Sequence, residues 1–378
     1  MTRNSGPAIE PQAPAPLDRS RFRPVPPPVL FDRLTELGYR GQVAARRAMC
    51  LLAYRHLRRA ERLLFKEAKP GQLPPKTNAL LMGPTGCGKT FLVELLFGRI
   101  LPLPVVVIDI TGFSETGYVG DSVKTILTRL LHASRHQPEL AAHGVVCLDE
   151  FDKLAGSHSN IRFDGAGTTK DVTGYGVQKE LLKMIEGCRL DVPLELAESI
   201  YTERAAIDTS EILFIGAGAF SGFKGTARFM THPLTIGYLR DARPPDPIAY
   251  HLEEDEAENV AAFQRYGFLP EMIGRFGRIV ALSALEKETL EQILMENLLP
   301  KYVEEFAAEG IRLQVLPEVT VRIVEDALRT QIGARGLGSR LNRILETAAF
   351  EGFGRRTGEL VVRLERGEPT LAWSGNPV

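Results

Sequence analysis

Cysteine is scarce in this 378-residue chain. Cys50, Cys87, Cys147 and Cys188 stand far apart, with no C-x-x-C pair and no histidine at metal-ligand spacing. That excludes a disulfide framework and a cysteine-built zinc site, and it fits a reducing cytoplasm. No apolar run reaches transmembrane length, and the N-terminus lacks the apolar stretch of a signal peptide, so no membrane partner is expected. Neither sign of charge dominates: 46 Lys+Arg stand against 47 Asp+Glu, for a formal net charge of -1. A strongly basic footprint is therefore missing, and no nucleic-acid partner is expected, although a local basic face stays open. What is present is an ordinary globular composition, 44% apolar and 25% charged, on a chain long enough for two or three domains.

Residues 83–90 read Gly83-Pro84-Thr85-Gly86-Cys87-Gly88-Lys89-Thr90. This fits the phosphate-cradling pattern G-x-x-x-x-G-K-[ST], with an apolar run before it and a helical run after it. Glycines let backbone N–H groups turn toward a polyphosphate that side chains would obstruct. Lys89 can reach the β- and γ-phosphates, and the Thr90 hydroxyl can sit on Mg²⁺. Cys87 reads as a small filler rather than a redox group. Farther on, Val145-Val146-Cys147-Leu148-Asp149-Glu150 is a buried strand ending in two carboxylates. Asp149 is assigned to Mg²⁺ through its water shell and Glu150 to the attacking water, the bland alternative being a helix cap.

Residues 1–29 are rich in Pro, Ala, Arg and Ser and read as a flexible tail. Residues 42–66 read as a helix carrying six arginines, either a solvated face or an anion-binding one. Strands are expected at residues 79–82, 104–110, 144–148 and 212–215, with helices at 91–101, 122–132 and 177–185. Strands alternating with helices predict a mainly parallel sheet covered on both faces, binding ligands at the strands' carboxyl ends. The pattern weakens at residues 187–209 and 222–267, which read as long insertions. Helical patterns resume at 286–298, 302–309, 317–330 and 338–350, with a short strand at 360–364. The fold class is α/β: a large domain over residues 30–282, a smaller, mostly helical domain over 283–368, and a tail over 369–378.

Six motifs occur in order: the phosphate loop; Gly117-Tyr118-Val119-Gly120-Asp121; Leu148-Asp149-Glu150-Phe151-Asp152-Lys153; Asp171-Val172-Thr173-Gly174-Tyr175-Gly176-Val177-Gln178; Leu269-Pro270-Glu271-Met272-Ile273-Gly274-Arg275-Phe276; and Gly333-Ala334-Arg335-Gly336-Leu337. Together they closely resemble the ClpX family of AAA+ protein unfoldases, and more distantly HslU, over roughly residues 30–365. The resemblance implies an ATP- and Mg²⁺-dependent ATPase that assembles as a homohexameric ring. It implies Arg275 as an arginine finger reaching a neighbour's γ-phosphate, and Arg335 as the sensor-2 arginine of a C-terminal lid. Tyr118 and Val119 match the pore loop that grips a translocating polypeptide, and Lys170 and Asp171 open the segment matching a second pore loop. Ile236-Gly237-Tyr238 sits where the family docks a ClpP-type peptidase.

The departures are informative as well. The cysteine pairs of the family's N-terminal zinc-binding domain have no counterpart in these residues, so the adaptor contacts made through that domain are not expected. Tyr39-Arg40 replaces the Val-Ile pair that lines the adenine pocket, and the basic Arg-Lys-His entrance loop has no counterpart between Cys188 and Thr209. No Asn or Thr follows the strand at 212–215 to serve as sensor 1. The leading reading is an ATP-driven unfoldase and translocase. A stand-alone remodelling chaperone and a nucleic-acid motor on the same chassis stand as alternatives, the last disfavoured by the near-neutral charge and the Tyr118-Val119 loop.

Overall fold

Adjacent residues of each central strand feed two different cores. Leu80, Met82, Val146, Leu148 and Phe214 pack on one side of the sheet, whereas Ala79, Leu81, Val145, Cys147, Leu213 and Ile215 pack on the other. A strand buried on both faces carries no polar alternation, which is why these segments are near-continuous apolar runs. The computed structural model describes residues 17–113, 122–155, 173–194, 203–223 and 259–374.

The sheet is built from β1 (Ala79–Met82), β2 (Val105–Asp109), β3 (Val145–Asp149), β6 (Leu213–Gly218) and β7 (Arg278–Ala281), ordered β2-β3-β6-β1-β7 and parallel throughout. Beside it stand α1 (Pro27–Glu36), α2 (Val43–Leu64), α3 (Lys89–Val93, continuing as a π-helical stretch Glu94–Ile100), α4 (Thr125–Ala133), α5 (Pro138–Ala141) and α6 (Thr173–Glu186). An antiparallel hairpin of β4 (Arg189–Pro193) and β5 (Arg204–Asp208) occupies the stretch where the sequence pattern weakens, and α7 (Val260–Tyr266) and α8 (Pro270–Ile273) lead into β7.

The core changes between Leu282, which packs with the sheet, and Leu285, which packs with the C-terminal unit. That unit contains α9 (Lys287–Gln292), a π-helical stretch Ile293–Leu298, α10 (Leu299–Ala308), α11 (Pro317–Thr330) and α12 (Ala334–Gly352) around a three-stranded sheet of β8 (Ile311–Val315), β9 (Gly358–Glu365) and β10 (Glu368–Ser374).

Three expectations are corrected here. Most of residues 369–378 is strand rather than tail. Arg366 (φ 53°) and Gly367 (φ +84°) make a two-residue turn that folds β10 back on β9, and the Arg356 guanidinium lies 5.2 Å from the Trp373 ring. At the other end, residues 17–29 are held down: Phe22 is buried against Phe65, and α1 starts at Pro27. The arginines of α2 are not one solvated face either. Arg46 is buried 3.8 Å from the Phe31 ring centroid and donates to Phe31 O, and Arg59 forms a fork with Glu211.

Candidate functional site

The loop at residues 83–90 joins the carboxyl end of β1 to α3, and three glycines set its shape. A Cβ on Gly83 would meet Leu282 O at 2.4 Å, and one on Gly86 (φ +77°) would meet Ile332 O at 2.1 Å. Gly88 (φ +97°) has the Tyr39 hydroxyl 3.1 Å from where its Cβ would stand. Only glycine satisfies such contacts and such backbone angles at once. Lys89 is buried in the loop's concavity, its Nζ donating to Gly83 O (2.6 Å) and Pro84 O (3.0 Å). Pro84 and Thr85 form the outer rim, and the Cys87 thiol is buried, which raises its pKa.

Thr90 Oγ1 donates to Asp149 Oδ2 at 2.7 Å, bringing the first turn of α3 to the end of β3. Asp149 Oδ1 accepts from the Glu150 N–H at 2.9 Å. Glu150 itself has a left-handed backbone (φ 54°), a costly conformation for a non-glycine residue that turns the chain out of the strand at this point. Lys89, Thr90, Asp149 and Glu150 all line one cavity of about 270 Å³ together with Thr85, Gly86, Gly88 and Arg335. Arg335 comes from the C-terminal unit, in the first turn of α12, and Ala334 N donates to Gly86 O at 3.1 Å. Two parts of the chain with separate cores therefore close one pocket.

The cradle fits ATP: glycine-lined backbone, a buried ammonium, and a facing arginine at a helix start suit a polyphosphate. The Thr90 hydroxyl and Asp149 carboxylate are hard oxygen donors of the kind Mg²⁺ takes alongside phosphate oxygens. Among the described residues no separate cluster of three or more His, Cys, Asp or Glu could hold a metal.

A second pocket of about 90 Å³ adjoins the first, with Gly86, Gly88, Phe91 and Ala334 lining both. It holds Tyr39 and Arg40, but neither presents a free polar group. Tyr39 is buried, its hydroxyl 3.3 Å from Gly88 O and its ring stacked 5.9 Å from Phe91, and burial raises its pKa. Arg40 is paired with Glu296 of the C-terminal unit at 2.6 Å. Phe91, Leu285, Ile293 and Asn297, which the motifs did not single out, complete this pocket. Only Phe91, next to Thr90, had a positional signal in the sequence.

Arg275 lies outside the lining of both pockets. It follows α8, ion-pairs with Glu186 at the end of α6, and is half-exposed; Asn78 Nδ2 donates to its carbonyl at 3.0 Å. At the expected sensor-1 position, Gly216 and Ala217 are buried within β6, and Gly218 and Ala219 line the phosphate cavity instead. The buried Asp152 carboxylate accepts from Ala219 N at 3.1 Å, so Asp152 shapes this wall, a role that needs the tertiary fold to be seen. Tyr118, Val119, Lys170, Asp171, Ile236, Gly237 and Tyr238 lie outside the described residues. Among the described residues no helix is long and apolar enough to cross a membrane.

The profile of the AAA domain (Cdc48 subfamily) matches residues 74–279. An ATP-dependent Clp protease ATP-binding subunit ClpX of Porphyromonas gingivalis is 32% identical over 336 residues, covering 86% of this chain and 78% of that one. The ClpX of Bacteroides fragilis is 32% identical over 342 residues, with 88% and 79% covered. A ClpX 2 of Wolinella succinogenes is 35% identical over 318 residues, with 82% and 74% covered.

Proposed function

The chain belongs to the ClpX family of AAA ATPases, and from that premise we propose that it is an ATP-driven protein unfoldase and translocase. The observation that carries the reading is the closure of one cavity by Lys89, Thr90, Asp149 and Glu150 from the large domain and Arg335 from the lid. ATP supplies the phosphoanhydride whose cleavage powers the cycle. Lys89 and the loop amides hold the phosphates, while Thr90 and Asp149 hold Mg²⁺ with them. Glu150, at the cavity edge, orients and polarises the attacking water. Arg335 senses nucleotide from the lid, so hydrolysis and release move one domain against the other.

Arg275 does not line its own cavity and pairs with Glu186 instead, which supports a role as a finger for the neighbour's γ-phosphate in a homohexameric ring. Tyr118 and Val119 grip the polypeptide in the central pore, and Lys170 and Asp171 belong to a second pore loop. An aromatic and a branched side chain flanked by Gly117 and Gly120 can press on any chain without reading its sequence. The relatives' name, ATP-binding subunit of a Clp protease, supports coupling to a ClpP-type peptidase through Ile236, Gly237 and Tyr238.

The test is a pull-down with Glu150→Gln in ATP. The variant binds ATP, hydrolyses it poorly and retains polypeptides in its pore, and the added change Tyr118→Ala releases them. Fast hydrolysis by Glu150→Gln, or capture independent of Tyr118, rejects the reading.

A further inference from the structure

The small pocket beside the phosphate cavity has walls of Tyr39, Phe91, Leu285 and Ile293, suited to a flat base. Its polar side chains are nearly all committed. The Tyr39 hydroxyl lies on Gly88 O, and Arg40 Nε donates to Glu296 at 2.8 Å while its Nη1 serves Thr35 O and Tyr39 O. Asn297 is different. Its Nδ2 donates to Gly38 O, and its Oδ1 has no hydrogen-bond partner among the described residues. The orientation of the carboxamide is fixed by chemistry: Gly38 O is an acceptor, so the amide must turn its NH₂ toward it. That leaves the Asn297 carbonyl oxygen uncommitted in the pocket, beside the remaining lone pairs of the buried Tyr39 hydroxyl and the weakly bonding Cys87 thiol.

Asn297 is also held in place. It sits in the π-helical stretch Ile293–Leu298, and its neighbour Glu296 is pinned by Arg40. A Cβ on Gly38 (φ +88°) would stand 2.9 Å from Asn297 Oδ1, so the close fit needs glycine there. The side chain is a positioned acceptor on a scaffold that includes the Arg40 which departs from the family pattern.

We propose that Asn297 determines base specificity, its Oδ1 accepting a hydrogen bond from an exocyclic 6-amino group and disfavouring a 6-oxopurine. The inference rests on the nucleotide-site reading. An adenine meets the oxygen with a donor. A hypoxanthine or guanine meets it with another oxygen, leaving two acceptors face to face without compensation. In this chain the lid, rather than a side chain at Tyr39-Arg40, reads the base.

Calorimetric titration of the full-length protein with ADP and IDP isolates the 6-position without hydrolysis. The wild-type protein binds ADP roughly tenfold or more tighter than IDP, as expected for one good hydrogen bond against a repulsive contact. Asn297→Leu brings the two affinities within about threefold, chiefly by losing ADP affinity. Glu296→Gln separates base reading from lid support: it breaks the Arg40 pair but spares Asn297, and it weakens both ligands in parallel with the ratio kept. Circular dichroism and melting temperature establish that each variant is folded. Equal wild-type affinities for ADP and IDP overturn the proposal, as does a preference that survives Asn297→Leu. Failure of the folded wild-type protein to bind either nucleotide instead overturns the nucleotide site itself.

Discussion

Gly86 and Gly333 lie so close that neither accepts a side chain. A Cβ on Gly333 would stand 2.7 Å from Gly86 O, and Gly333 has φ 63° and ψ -146°, a region essentially reserved for glycine. The next residue, Ala334, donates its N–H to Gly86 O, so the C-terminal unit is seated on the phosphate loop backbone-to-backbone. Gly333→Ala therefore costs about 1–3 kcal/mol of strain at this one residue. It lowers the melting temperature and weakens ADP binding, although no atom of Lys89, Thr90 or Glu150 is altered. Calorimetry of the variant with ADP checks this. Unchanged affinity and melting temperature would mean that the seat on Gly86 is not what places Arg335.

At the scale of elements, the joint between α2 and the strand starts carries a pH-sensitive group. His56 on α2 is buried, with Nε2 3.0 Å from His143 O just before β3. Burial pushes its pKa from 6.5 down to about 3, and burial also lowers that of His143. As pH falls below about 6.5 the unfolded chain takes up protons that the folded chain refuses, so stability declines steadily toward pH 3 and is flat above the unfolded value. Melting temperatures between about pH 7.5 and about pH 5 should fall for the wild-type protein. His56→Leu loses the contact with His143 O and melts lower at the upper pH, but with a shallower slope. An identical slope would place the acid sensitivity elsewhere. The elements themselves were unevenly legible. Residues 79–82 and 317–330 matched their elements because apolar runs and period decide them locally. β4, β5, β7, β8 and β10 were missed: Arg189-Leu190-Asp191-Val192-Pro193 and its partner gain their strand character only from pairing with each other, as β10 does from folding back on β9. The first turn of α12 was missed because Gly336 and Gly338 lower its helical propensity, and packing of Leu337 and Leu341 overrides that. In the site, Lys89, Thr90, Asp149 and Glu150 were legible because their chemistry is tied to short spacings. Asn297, Glu296 and Asp152 were not, because what they meet, Gly38 O, the Arg40 guanidinium and Ala219 N, lies far from them in the sequence.

Across the whole molecule, the geometry separates two kinds of arginine. Arg335 reaches the cavity of its own chain, whereas Arg275 is held by Asn78 and Glu186 away from it. In the proposed ring each hydrolytic site then joins the phosphate loop of one subunit to Arg275 of the next. Such a shared site has a consequence that a self-contained site cannot reproduce. Lys89→Ala removes the phosphate grip, and Arg275→Ala leaves binding nearly intact but slows hydrolysis by about 10³-fold or more. Each homomeric variant is inactive. Mixed in equal amounts and co-assembled, they pair an intact loop with an intact Arg275 at about a quarter of the interfaces. ATPase activity should therefore reappear on mixing and vanish when either variant carries both changes. Steady-state hydrolysis against mixing ratio measures it directly. A mixture as inactive as its components would mean that Arg275 does not complete a neighbour's site, and the ring reading of this arginine would be lost. The recovery also separates this role from simple misfolding at residue 275, because a misfolded subunit has no intact loop to contribute.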